Sequence, residues 1–207
     1  MNSLCKVNIF KLSKVDMKEI FGYYVDKPLN NDQLTLKFSP SSISIKDRWR
    51  NNGLSADFMA DYLTTFFPKD DSDVGAQKQA EIKSTASYIA NELLENSMKY
   101  CDYSVRLPIT IQLQLDADQI RFFVTNSINK DSIEGFKAFI EELVVADPDS
   151  LYFNQLEKNA ENPDNTASGL GLLSMINDYS AMLGWKFEII QEKPEILAVT
   201  TMVQVSI

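Results

Sequence analysis

The stretch from Asn91 to Tyr100 reads NELLENSMKY and contains three side chains that could take part in binding or catalysis: Glu92, Asn96 and Lys99. Because these residues are spaced by four and three positions, a helix would carry them on one face. An amide oxygen can ligate Mg²⁺, an ammonium can meet phosphate oxygens, and a carboxylate can take up a proton. The spacing suits a magnesium–phosphate site, but taken alone a short motif of this kind favours a solvated helix edge.

A second candidate lies about seventy residues downstream, where residues 166–173 read TASGLGLL. Gly169 and Gly171 follow a polar segment and open an apolar one. Glycines let backbone N–H groups approach a ligand, a helix N-terminus favours anions, and hydroxyl groups add donors. The structural alternative is a tight turn before a packed helix. The expected anion-binding turn comprises Thr166, Ser168, Gly169, Leu170 and Gly171.

The composition of the chain limits its possible functions. Its 207 residues carry a formal net charge of −9, which argues against binding to nucleic acid or to a membrane surface. No apolar run is long enough to cross a bilayer and no signal peptide is evident, so we expect a cytoplasmic protein. The 2 cysteines are too few for a disulfide framework or a zinc site. The absence of histidine excludes histidine-ligated metals and histidine-dependent nucleophiles.

The spacing of apolar residues predicts the elements that position these groups. In the first half of the chain it predicts strands over 7–12 and 33–38, a short strand at 43–45, a break at 51–53, a helix over 55–67 capped by Ser55, and a long helix over 77–100. In the second half it predicts a hairpin of 109–115 and 120–124, a helix over 136–145, a mobile polar segment over 147–166, a helix from 169 to 183, and strands over 185–191 and 197–205.

The order of these features resembles the ATP-binding domain of the GHKL superfamily, which includes gyrase, heat-shock chaperone, histidine kinase and mismatch-repair ATPases. The stretch ELLENSMK is similar to that family's N-box, and SGLGLL is similar to its second glycine box. The resemblance covers about residues 77–207. Without histidine or attached dimerisation helices, the chain is most similar to stand-alone serine kinases of the anti-sigma-factor type, including SiaB-like regulatory kinases.

The resemblance implies a role for each matching residue. Glu92 would orient or deprotonate the nucleophile, either a water or a serine hydroxyl, and Asn96 would ligate the Mg²⁺ that bridges the phosphates. Lys99 would lie near the phosphates, and the turn at residues 169–171 would close over them. Residues 127–168 would match the family's ATP lid.

One position departs from the family pattern. After the second strand the family has an aspartate that accepts a hydrogen bond from the adenine amino group, followed by glycines. Here Asn126 falls at that position and Ile128 replaces a flexible residue. A side-chain amide oxygen can still accept from adenine N6–H, but it carries no charge. This departure leaves open the alternative that the protein kept the fold and lost catalytic turnover.

We therefore expect an α+β sandwich of the Bergerat type: a mixed, mostly antiparallel sheet with helices on one face. Residues 71–207 would form the ATP-binding domain, and residues 1–70 would pack on it or extend it. The expected function is ATP- and Mg²⁺-dependent phosphorylation of serine or threonine on a small protein partner, similar to an anti-sigma antagonist. The alternatives are a catalytically degenerate interaction module and a stand-alone ATPase. The apolar stripe of Phe58, Tyr62 and Phe66 in the helix over 55–67 is typical of a core, and the alternative is a homodimer face.

Overall fold

The computed structural model describes residues 18–25, 33–39, 45–67, 73–116, 118–161 and 169–207. The predicted strand over 7–12 and the position of Ile43 lie outside these ranges. The described residues form the strands β1 (Glu19–Gly22), β2 (Gln33–Phe38), β3 (Ile109–Leu115), β4 (Gln119–Ser127), β5 (Met182–Glu192) and β6 (Glu195–Ser206). They form the helices α1 (Ile45–Thr64), α2 (Asp73–Lys99), α3 (Lys130–Val145), α4 (Pro148–Glu161) and α5 (Leu170–Tyr179). No helix in these ranges is both long and apolar enough to cross a membrane.

The six strands form one sheet in the order β1-β5-β6-β4-β3-β2. Every described pair in it is antiparallel, which confirms the α+β class and the antiparallel character expected from the sequence. The predicted hairpin is the β3–β4 pair, and the predicted closing strands are β5 and β6. Both N-terminal strands belong to this sheet, β1 at one edge and β2 at the other.

One face of the sheet is apolar because alternate residues of each strand share a side. Ile111 lies opposite Val124, and Leu113 lies opposite Phe122. On the next strand Val203 lies opposite Phe122 and extends the same face. Helix α2 packs on β3 and β4 there, and Phe136 of α3 reaches the same face of β5. Phe122 is fully buried, and burial of a side chain of this size stabilises the fold by about 1.5–3 kcal/mol.

The other face of the sheet is crossed by the chain as it leaves β1. Tyr24 makes an edge contact with Phe123 of β4, and the Val25 N–H donates to Met202 Sδ of β6 at 3.5 Å. Gly184 makes this path possible, because a Cβ at that position would lie 2.3 Å from the Tyr23 carbonyl oxygen. The backbone can therefore cross directly over β5.

Helix α1 begins earlier than the sequence pattern predicts. The expected break at residues 51–53 and the expected cap at Ser55 are both wrong, because the helix runs continuously from Ile45 to Thr64. Ser55 instead donates its hydroxyl to the Asn51 carbonyl oxygen at 2.6 Å, a bond typical of serine inside a helix. Asn52 is buried, so packing overrides the weak helix propensity of the Asn-Asn-Gly run. The predicted resumption of a strand at Ile45 is also wrong, since Ile45 is the first residue of this helix.

The segment predicted to be polar and mobile contains helix α4. Asp147 precedes it and accepts hydrogen bonds from the Ser150 N–H at 3.0 Å and from the Ser150 hydroxyl at 2.8 Å. These bonds lower the pKa of Asp147 below its ordinary range. Pro148 occupies the first helical position, where a missing N–H costs nothing. Leu151 is the buried contact of this helix.

Helix α5 is shorter than predicted. It begins at Leu170 and ends at Tyr179, and Ser180 takes a left-handed conformation that stops it. The Ser180 and Ala181 turn leads directly into β5, whose residue Trp185 is fully buried. The four residues assigned to the end of this helix by sequence, 180–183, therefore lie in that turn and at the start of the strand.

Candidate functional site

A cavity of about 350 Å³ lies between the apolar face of the sheet and the helices. This volume is within the usual range for small-molecule sites. The lining is largely apolar, with a few hydroxyl and amide groups. Its walls comprise Leu93, Asn96, Ser97 and Tyr100 of α2, Val124, Ile128, Val199 and Thr201 of the sheet layer, Ser132, Gly135, Phe136 and Phe139 of α3, Gln155 of α4, and Gly169 and Leu172 at α5.

Helix α2 presents Asn96 to this cavity because its apolar residues face the core. Leu93 and Leu94 are buried, and the next turn brings Asn96 beside Leu93 at the cavity wall. Ser97 also lines the wall, and its hydroxyl donates to the Leu94 carbonyl oxygen at 2.9 Å. Asn96, which the sequence pattern singles out, therefore lies in the cavity wall.

Glu92 lies one turn before Asn96 and contacts the first turn of α5. A Cβ built on Gly171 would be 2.0 Å from Glu92 Oε2, so only glycine leaves room for the carboxylate as it stands. Burial raises the pKa of Glu92, and the nearby charge of Glu95 raises it further. Glu95 is itself held by Asn91, whose Nδ2 donates to Glu95 Oε1 at 2.9 Å. The structure therefore brings Glu92 to the glycine turn, although its side chain is outside the cavity lining.

The start of α5 lies at the cavity edge, where Gly169 is a lining residue. Gly169 adopts a left-handed conformation with φ of 59°, which suits glycine, and provides no side chain to cap the helix. The first N–H groups of an α-helix lack partners within the helix, so at this end they depend on groups other than the side chain of the N-cap residue. Thr166 and Ser168 lie outside the described residues. Leu170 and Gly171 form the first turn and are not among the lining residues.

Lys99 lies at the end of α2 and is exposed. Its ammonium is 5.3 Å from the centre of the Tyr100 ring. Partial desolvation of the ammonium lowers the pKa of Lys99, while the charge of Glu95 acts in the opposite direction. Tyr100 lines the cavity and Lys99 does not, so the predicted cation stands beside the site rather than in its wall.

Asn126 sits in the part of the sheet that forms the cavity floor. Its neighbours Val124 in β4, Ile128 just after β4 and Val199 across from it all line the cavity. The Asn126 side chain is 4% exposed, and its Nδ2 donates to the Ser127 carbonyl oxygen at 2.8 Å. A carbonyl oxygen can only accept, so the nitrogen must face Ser127. Asn126 itself is not a lining residue, and no other described residue bonds its Oδ1.

The described site contains residues that the sequence pattern did not single out. Phe136 and Phe139 come from a helix predicted only as amphipathic, and Gln155 comes from the segment predicted to be mobile. A Cβ on Gly169 would lie 3.4 Å from Phe139 and 3.8 Å from Gln155. The sequence Asp147-Pro148-Asp149 was the available signal, because it is typical of a helix start.

The donor set near the cavity suits Mg²⁺ that is carried by a polyphosphate. No group of three or more acidic, cysteine or histidine side chains in the described ranges could hold a metal alone. Mg²⁺ usually keeps several waters and takes only one or two protein ligands together with phosphate oxygens. Asn96 provides one such oxygen, and therefore fits this mode of binding.

Comparison with protein-family models and with curated proteins finds no match for this chain.

Proposed function

We propose that the chain binds ATP with Mg²⁺ and transfers the γ-phosphate to a serine or threonine of a small protein partner. The partner would be of the anti-sigma-antagonist kind, and the chain would act in the cytoplasm, as a monomer or a homodimer. The proposal extends the observed α+β architecture to a Bergerat-type ATP-binding fold. It is supported by the resemblance of the N-box and glycine-box stretches to the GHKL superfamily.

The observation that carries the proposal is the convergence of two distant sequence stretches on one cavity. Asn96 of α2 and Gly169 at the start of α5 both line it, and Glu92 touches Gly171 just beyond. The resemblance assigns these residues to the metal, the phosphate turn and the base. A polar helix face that served only to contact solvent would not need to lie against the glycine turn.

Each residue would have a defined role in phosphate transfer. The Glu92 carboxylate would accept the proton of the attacking serine or threonine hydroxyl. The hydroxyl oxygen would form a bond to the γ-phosphorus, and the bond between that phosphorus and ADP would break. A raised pKa suits a group that takes up a proton in this way. Asn96 would ligate Mg²⁺, which neutralises the phosphate charge when bound. The open N–H groups at the start of α5 would hold phosphate oxygens.

Recognition of the base would rest on the cavity walls, because Asn126 is buried behind them and keeps both Oδ1 and one Nδ2 hydrogen without a described partner. The apolar cavity walls, including Tyr100 and Phe136, suit the faces of a planar base.

The test is calorimetric titration of the full chain with Mg-ADP, followed by a transfer assay with [γ-³²P]ATP and co-purified partner. We expect Mg-ADP binding in the wild type and in Glu92→Gln, and transfer only in the wild type. Asn96→Ala should reduce binding with Mg²⁺ present and change it little when EDTA is present. The proposal fails if the wild type shows no nucleotide binding.

A second candidate is a non-catalytic interaction module. Its specific support is that the described lining residues include no lysine or arginine and no carboxylate to meet adenine. This function predicts a stable complex with the partner in the absence of nucleotide and no transfer at any Mg²⁺ concentration. Phosphorylation of the partner that Glu92→Gln abolishes would exclude it.

A further inference from the structure

Gln155 stands apart from the other residues of α4 because its side chain reaches the cavity. It is the residue of this helix that lines the cavity, and its side-chain carbon Cδ is 3.8 Å from a Cβ built on Gly169. The neighbouring residue Asn154 is exposed on the outside of the same helix turn. The Gln155 amide therefore lies beside the backbone that begins α5.

Much of the hydrogen-bonding capacity of this amide is unused. Gln155 Nε2 donates to Asn159 Oδ1 at 3.2 Å, which is at the long end of the normal range. This bond uses one of two amide hydrogens, and no other described residue bonds the group. One N–H donor and the amide oxygen are thus available to a ligand, on a half-buried side chain held at the cavity edge.

The charge of the site favours a neutral donor at this position. Glu92 lies against the first turn of α5, and the described lining residues include no lysine or arginine. A phosphate group placed there must be held by N–H donors and by its own metal ion. The uncapped N–H groups at the start of α5 are one set of such donors. The Gln155 amide is the side-chain donor beside them.

We propose that Gln155 contacts a phosphate oxygen of the bound nucleotide through Nε2–H, next to the N–H groups that begin α5. The inference rests on the proposed nucleotide binding and deepens it, because it assigns a phosphate-binding role to α4. Gln155 thereby couples this helix to the phosphates of the ligand and not to its base.

The test compares Gln155→Glu with the matched control Asn154→Asp in calorimetric titrations of the full chain. Both changes add one negative charge to the same turn of α4, but only the first places it beside the start of α5. We expect Gln155→Glu to weaken Mg-ADP binding at least tenfold and to leave adenosine binding within about twofold. Asn154→Asp should alter neither. Gln155→Met, which keeps the length and removes the donor, should weaken Mg-ADP binding about two- to tenfold.

The outcomes separate this inference from the function on which it rests. A wild-type chain that binds no Mg-ADP overturns both. A wild-type chain that binds Mg-ADP, together with a Gln155→Glu variant indistinguishable from Asn154→Asp, overturns the role of Gln155 alone. Equal weakening of ADP and adenosine also overturns it, since the residue would then shape the whole cavity. If thermal unfolding shows that Gln155→Glu does not fold, Gln155→Met decides between the same outcomes.

Discussion

Gly171→Ala separates the position of the Glu92 carboxylate from the stability of the fold. The added Cβ would lie 2.0 Å from Glu92 Oε2, whereas ordinary contacts begin at 3.4 Å, so the carboxylate must withdraw by about 1.4 Å. The obstacle is the end of a flexible side chain and not backbone. Ala is also the better helix former, by up to about 1 kcal/mol. The free energy of unfolding should therefore change by less than about 1 kcal/mol.

The effect on phosphate transfer should be much larger. A reacting group misplaced by about 1 Å can cost on the order of a hundredfold in rate. We expect Gly171→Ala to bind Mg-ADP within about fivefold of wild type and to transfer phosphate on the order of a hundred times more slowly. Calorimetry measures the first quantity and a single-turnover transfer assay measures the second.

Gly53→Ala is the matched control for this change. Gly53 also lies in a helix, and a Cβ there would meet nothing within 4 Å. It should raise the free energy of unfolding by about 0.5–1 kcal/mol and leave transfer unchanged. Transfer in Gly171→Ala at the rate of Gly53→Ala would refute the assignment of Glu92 as the base. A large decrease in the free energy of unfolding of Gly171→Ala would refute the reasoning from the contact geometry.

Three further changes test the fold and the electrostatics. Asn129→Ala removes the side chain that accepts from the Asp131 N–H at the start of α3, and should cost about 1 kcal/mol in urea unfolding; a value near zero would contradict the cap. Gly184→Ala forces a Cβ to 2.3 Å from the Tyr23 carbonyl oxygen, and should cost on the order of 1–3 kcal/mol or more in the same experiment, since backbone must move. Burial raises the pKa of Glu92 in the folded state above its ordinary value of 4.5. Protonation of Glu92 therefore favours the folded state, and this contribution to the free energy of unfolding is lost as pH rises through the folded-state pKa. Glu92→Gln should therefore unfold at a higher temperature than wild type at pH 7 and depend less on pH above 4.5; an unchanged pH profile would contradict the burial.

The sequence predicted the parts of the fold where the apolar period was clear. The hairpin of β3 and β4 and the long helix α2 match their patterns because each has one buried face. It misplaced α1 because the Asn-Asn-Gly run has weak helix propensity, and packing of Asn52 against the core is invisible in a local pattern. Helix α4 is not evident in the apolar pattern because its residues are mostly polar, and the signal for its start is confined to Asp147 and Pro148.

The candidate site was predictable to the same extent, and for a related reason. Asn96 and Gly169 could be named because each belongs to a short stretch with a chemical pattern, and both line the cavity. Gln155 and Phe139 could not, because they reach the cavity only through the tertiary placement of α3 and α4. Asn126 was expected at the adenine-binding position. Its burial beneath the cavity lining and its bond to Ser127 depend on backbone geometry, which the sequence pattern does not show.

The charge distribution around the cavity indicates how binding energy would be divided between the two ends of a nucleotide. At the base end the walls are apolar and aromatic, so desolvation of a planar ring is favourable without any ion. At the phosphate end the Glu92 side chain lies against the first turn of α5, and the described lining residues include no lysine or arginine. In the proposed function, the charge of the phosphates would be offset mainly by Mg²⁺ and by backbone or amide N–H groups. Because that compensation depends on a bound metal and short-range hydrogen bonds, Mg²⁺ should control nucleotide affinity far more strongly than ionic strength does.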